Sequence, residues 1–168
     1  MPTELKGANA FRKALKQFSP DLDKETRDEM VGFLKPLVKK ARGFMPSNSS
    51  LPSGWVGTSE PGRFPKYDAS IARRGVGYKL TPTKPNRQGW IQTVSIHNKT
   101  AGGVIYEWAG RKSSSKFVSN LPGTMTGSGK MQGRAMFKAY KEDEGKAKVG
   151  VIRALEKAAA KFNAKGNI

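Results

Sequence analysis

The chain has 168 residues, with 31 Lys and Arg against 13 Asp and Glu, for a formal charge of +18. It has no cysteine, which excludes disulfide frameworks, thiolate metal sites, cysteine nucleophiles and redox pairs, and its single histidine, His97, cannot build a multi-histidine metal centre. With 36% hydrophobic residues, a mean hydropathy of −0.60 and a length just above that of a typical domain, one compact unit with a modest core is expected over residues 1–168.

The opening run MPTELKGANAFRKALKQF scatters charge where a signal peptide needs an apolar stretch, and no segment approaches the ~18 apolar residues of a membrane span. The expectation is synthesis in a reducing cytoplasm with no membrane contact. Leu5, Ala8, Phe11, Leu15 and Phe18 recur at three and four, the pattern of a short amphipathic helix. Ser19-Pro20-Asp21 then reads as a new helix start: a capping hydroxyl, a proline where its missing donor costs nothing, and acids at the positive end of the dipole. The stripe Leu22, Val31, Leu34, Leu37, Val38 and Ala41 carries this second helix to about Arg42-Gly43, with a kink rather than a break expected at Pro36.

Residues 45–65 are rich in Pro, Gly and Ser and without period, and are expected to form a long loop that orders against a partner. A short strand is expected around Val76 to Leu80. WIQTVSIH (90–97) and VIYEW (104–108), joined by NKTAGG, read as a β-hairpin. Residues 111–132 form a second flexible, basic loop, with glycines at 123, 127 and 129. A helical region runs from about Gly133 to Asn163, interrupted near Gly145, with Val149, Ile152, Leu155, Ala159 and Phe162 as its apolar stripe. Together these give an α+β fold: terminal helices on a small antiparallel sheet, with two long loops.

The charge is uneven along the chain. Residues 1–68 hold 12 basic and 8 acidic side chains, residues 69–141 hold 13 and 1, and residues 142–168 hold 6 and 4. A stretch so one-signed repels itself unless phosphate, an acidic protein or salt supplies counter-charge. The candidates to meet that partner are Arg73, Arg74, Arg111, Lys112, Lys116 and Lys130. Glu107, the lone acid of the middle segment, reads as an ion-pair partner for Arg73, Arg74, Arg111 or Lys112, or else as an acid with a shifted pKa.

No catalytic signature is present: no nucleophile with its base, no carboxylate pair and no metal cluster. The glycines of TGSGKMQG lack phosphate-loop spacing, and those of RRGVG lack the dinucleotide pattern. His97 reads as a surface or edge residue. Trp55, Trp90 and Trp108 read as packing residues rather than as an RNA-binding set. No enzyme activity, cofactor or metal is expected.

The order of features nevertheless follows a pattern. Ala41-Arg42, Pro46 and Ser53-Gly54 precede the strands. YEWAG (106–110), a basic glycine-containing segment, GRAMF (133–137) and a terminal helix follow. From about residue 20 to 163 this resembles the tail-completion or neck proteins of long-tailed bacteriophages. The resemblance implies a structural virion protein, assembled in the host cytoplasm, that joins the tail to the head connector. Its expected setting is a homo-oligomeric ring of six copies, or twelve, beside connector and tail-terminator or tail-tube proteins, with genomic DNA in the channel. The competing expectation from the residues alone is a basic nucleic-acid-binding protein without sequence preference.

Overall fold

Two helices open the chain with one residue between them. α1 (Ala8–Phe18) ends where Ser19 leaves helical geometry, its N–H still donating to the Leu15 carbonyl, and α2 (Pro20–Gly43) starts at the proline. Asp21 and Asp23 sit in the first turn of α2 and Lys40 and Arg42 in its last, so the charges oppose the helix dipole. The structure, a computed structural model, describes residues 7–58, 60–61, 64–89, 91–112 and 114–166. Leu5 and Trp90, which figured in the expected first helix and hairpin, lie outside the described residues. After α2 come two 3-10 turns, Asn48–Ser50 and Ser53–Trp55, then α3 (Ala69–Gly75), β1 (Val76–Lys79) and β2 (Ser95–Asn98). The order continues with α4 (Ala101–Trp108), α5 (Lys116–Ser119), β3 (Thr126–Ser128), β4 (Met131–Gly133), α6 (Met136–Glu142) and α7 (Lys146–Gly166). The fold is α+β, with two small antiparallel sheets, β1-β2 and β3-β4.

By its contacts the chain divides into two compact units, and α2 passes from one to the other at Pro36 without interruption. The first unit holds residues 1–35, 79–95 and 145–168. Its core is Leu15, Leu22 and Ala158, with Phe11 and Phe162 packed edge to face at 6.0 Å. Glu25 and Glu29 on α2 pair with Lys161 and Lys157 on α7. The buried face of α7 differs from the expected stripe. Ala147, Gly150, Ala154, Leu155 and Ala158 are buried, whereas Val149 is 44% exposed. Gly150 lies against the Phe33 ring, so close that a Cβ would overlap ring carbons, and this approach selects small residues over the larger ones that hydropathy favours.

The second unit holds residues 36–78 and 96–144. The expected hairpin over 90–108 is corrected here: β2 pairs with β1, and residues 101–108 are helix α4. Thr100 caps α4, its hydroxyl oxygen accepting from the Gly103 N–H at 3.2 Å and its proton going to Asn98 Oδ1 at 2.8 Å. Gly102 lies against the backbone of Lys66 and Tyr67, an approach that any side chain would block.

The two segments expected as flexible loops are built into this unit. In 45–65, Met45, Leu51 and Trp55 are buried, and Val56 forms a parallel bridge with Tyr67. Segment 111–132 contains α5, capped by the Ser115 hydroxyl, and the hairpin β3-β4, paired Thr126↔Gly133, Gly127↔Gln132 and Ser128↔Met131. Its turn is Gly129-Lys130, with Gly129 at φ 56°, in the Gly-X order of a two-residue hairpin loop. Aromatic side chains pin both segments. Trp55 Nε1–H donates to the Pro65 carbonyl at 2.9 Å, Tyr67 O–H to Pro46 at 3.1 Å and Tyr106 O–H to Pro122 at 3.1 Å. The rings continue the network, Trp55 lying 5.2 Å from Tyr67 and 5.0 Å edge-on to Phe117. Helices α6 and α7 part at Glu144 and Gly145, both at positive φ, which is the interruption expected near Gly145.

Candidate functional site: a carboxylate lock beside a basic aromatic surface

Helix α6 begins at Met136 behind Ala135, which has no side-chain oxygen to satisfy the free N–H groups of the first turn. Glu107, from the last turn of α4, supplies it. The Ala135 and Met136 N–H groups donate to Oε2 at 2.7 and 3.1 Å, and Phe137 N–H donates to Oε1 at 3.0 Å. Glu107 is fully buried, and Gly133 lies so close to its carboxylate that a Cβ there would overlap it.

Arg134 closes the arrangement from the other side. Its side chain is 5% exposed, it donates to the carbonyls of Tyr106 (3.1 Å) and Ala109, and its guanidinium lies 5.9 Å over the Tyr106 ring. Burial lowers the pKa of Arg134 below the ordinary arginine value, with Tyr106 and Glu107 acting in the opposite sense. Burial likewise raises the pKa of Tyr106. The expected ion pair of Glu107 with Arg73, Arg74, Arg111 or Lys112 is therefore corrected: Glu107 accepts from the backbone N–H groups of Ala135, Met136 and Phe137. In this setting Glu107 holds the C-terminal end of α4 on the N-terminal end of α6.

Of the six candidate basic residues, two have structural duties. Arg111 donates through Nε and Nη2 to the Gln132 carbonyl, at 2.7 Å for Nε, and its guanidinium lies 4.8 Å from the Trp108 ring and 5.2 Å from Phe137. Arg73, on α3, donates to the Met45 carbonyl at 3.1 Å. Arg74, Lys112, Lys116 and Lys130 are exposed on α3, after α4, on α5 and in the β3-β4 turn respectively. The bond from Arg111 to the Gln132 carbonyl ties the segment after α4 to β4, so that Lys112 follows Arg111 directly and Lys130 stands in the turn two residues before Gln132; Trp108 and Met131, on the same two segments, are each 51% exposed. Sequence reasoning missed this grouping because Trp108 had been placed on a strand. The signal that could have found it was the pairing of YEWAG with GRAMF.

The charge is shared equally between the units. The first carries 16 basic and 7 acidic residues (+9) and the second 15 and 6 (+9). Because Glu107 is the sole acid of residues 69–141 and is buried, the charged side chains that stretch offers solvent are all basic. On the first unit an open depression is lined by Asp21, Lys24, Glu25, Asp28, Glu29 and Lys157, where lysines already engage Glu25 and Glu29. His97 is half-buried on β2 beside Gly77. Among the described residues no group of three or more His, Cys, Asp or Glu side chains is placed to hold a metal ion, and no helix is long and apolar enough to cross a membrane. Comparisons with protein-family models, with curated proteins and with solved structures returned no match.

Proposed function

We propose that the chain is a structural subunit of the neck or tail of a long-tailed bacteriophage, one of six copies in a ring that joins the tail to the head connector. It performs no chemistry in this role. The observation that carries the reading is the lock itself. The two stretches that bear the resemblance, YEWAG and GRAMF, are separated by 22 residues in the sequence and meet at Glu107, which supports reading them together as one motif. The exposed apolar side chains of the second unit, Phe64, Ile71, Trp108, Met131 and Tyr140, are the kind of surface that neighbouring subunits cover. The acid-free surface of residues 69–141 supplies charge for acidic neighbours or for DNA in the channel.

The experiment is mass spectrometry of purified phage particles, joined to electron microscopy of the purified chain. The reading expects the chain in particles at a few copies each, and rings in the micrographs. Its absence from every particle whose genome encodes it would end the reading.

A further inference from the structure

We infer that the stripe formed by Trp108, Arg111, Phe137 and Tyr140 is a stacking platform for single-stranded nucleic acid, with Lys112 and Lys130 supplying the field that draws in the phosphates. This inference stands apart from the neck reading, and either can fail alone. Trp55, of the same size as Trp108, is 3% exposed, whereas Trp108, at the end of α4, is 51% exposed.

The stripe is held rigid. Two of the Arg111 nitrogens are committed to the Gln132 carbonyl, which holds the guanidinium 4.8 Å from the Trp108 ring and 5.2 Å from the Phe137 ring. Tyr140, 42% exposed, follows Phe137 by one turn of α6 and so lies on the same face.

Charge selects the occupant. The one acid of residues 69–141 is buried in the lock, Glu142 at the end of α6 is paired with Lys40 at 3.0 Å, and the next carboxylates, Asp143 and Glu144, lie beyond the helix. A polyanion is therefore attracted, and a row of rings flanking a cation adds a contact that only an anion with flat faces uses. Single-stranded nucleic acid presents such faces, whereas a duplex hides them in its own stack and an acidic protein segment lacks them.

The test is fluorescence anisotropy of the full-length chain with a labelled oligothymidylate of about 20 nucleotides and a duplex of matched length, between about 50 and 200 mM salt. The single strand is expected to bind at least about tenfold more tightly than the duplex. Trp108→Ala should weaken the single strand by about tenfold, the range of one lost base–aromatic stack, and leave the duplex unchanged. Trp108→Phe should keep most of the affinity, and Tyr140→Ala should repeat the selective loss at a site outside α4, so a folding defect in one variant does not decide the matter. Lys112→Ala and Lys130→Ala should weaken both ligands alike and each lower the salt slope by about one. The inference is overturned by tighter binding of the duplex, by equal losses on both ligands in Trp108→Ala and Tyr140→Ala, or by capture of poly-glutamate with no capture of the oligonucleotide.

Discussion

Replacing Glu107 by glutamine changes one atom and tests the lock directly. Oε2 accepts from two N–H groups and Oε1 from one, so the best amide orientation keeps oxygen at the first position and turns NH2 toward the Phe137 N–H, donor against donor. One bond to a charged acceptor is lost, about 1.5–3 kcal/mol, and the other two fall to neutral strength, removing about another 1–2 kcal/mol. A buried neutral amide costs less desolvation than a buried carboxylate, which offsets part of this and leaves a net loss of about 2–4 kcal/mol. For a chain of this length that lowers Tm by about 4–16 °C, read by far-UV circular dichroism and checked against urea midpoints. Gly133→Ala drives a methyl into the same carboxylate and should cost at least as much. In a Glu107→Ala background it should cost at least about 1 kcal/mol less, because the carboxylate it strikes is gone and the Phe137 ring contact alone remains. A Glu107→Gln variant melting within about 2 °C of the parent, or strict additivity in the cycle, would refute the assignment of Glu107 as the cap of α6.

Three further outcomes follow from the packing. Trp55→Ala removes a buried ring and the donor to Pro65, should cost about 3–5 kcal/mol, and should open residues 45–65 to limited proteolysis that the parent resists. Gly150→Ala should cost about 1–3 kcal/mol by thermal melt because its Cβ meets the Phe33 ring, and Phe33→Ala in the same chain should recover part of the loss. Acid should weaken the fold through Glu25, whose pKa is lowered chiefly by its hydrogen bond from Lys161, and Asp68, lowered by bonds from Ser70 and from the Ile71 N–H. Carboxylates with lowered folded values stabilise above the unfolded range near pH ~4 and lose that contribution as pH falls through the folded values. Glu25→Gln should therefore flatten the Tm decline between about pH 5 and 2, and an unchanged decline would count against the pairing.

The parts of the fold legible in the sequence are those whose cause is local. α1 and α2 announce themselves by period and by Ser19-Pro20, β1 by its β-branched start, and the α6–α7 break by Glu144-Gly145. α4 was hidden because VIYEW is an apolar run that suits either state. What decides for helix is the Thr100 cap and the approach of Gly102 to the Lys66–Tyr67 backbone, a contact 35 residues or more away in the chain. The segments 45–65 and 111–132 have the composition of loops. Their order comes from Trp, Tyr and Arg side chains donating to distant carbonyls, which leaves no local periodic trace. Among the candidate residues, Arg111 and Arg73 were chosen by sign alone, and sign does not distinguish an arginine stapling a carbonyl from one awaiting a phosphate.

That distinction bears on how the resemblance should be used. The most recognisable residues, Tyr106, Glu107, Gly133 and Arg134, are all buried, and each is accounted for by the joint between α4 and α6: a ring beneath a guanidinium, a carboxylate on three N–H groups, a missing Cβ and a donor to two carbonyls. Selection for that joint would preserve YEWAG and GRAMF in any protein that needs it, whatever surrounds the protein. The motif therefore argues for the architecture of the second unit, while the choice of partner resides in residues the motif presents without burying: Trp108 at the end of α4, Arg111 just beyond it, and the Gly129-Lys130 turn that Arg111 tethers through β4. Exchanging Lys112 and Lys130 for glutamate should leave the melt within about 1 °C of the parent, because exposed charges contribute little to stability, while abolishing whatever assembly or polyanion binding the chain performs. A variant that melts normally and still assembles and binds would move the interface away from this surface.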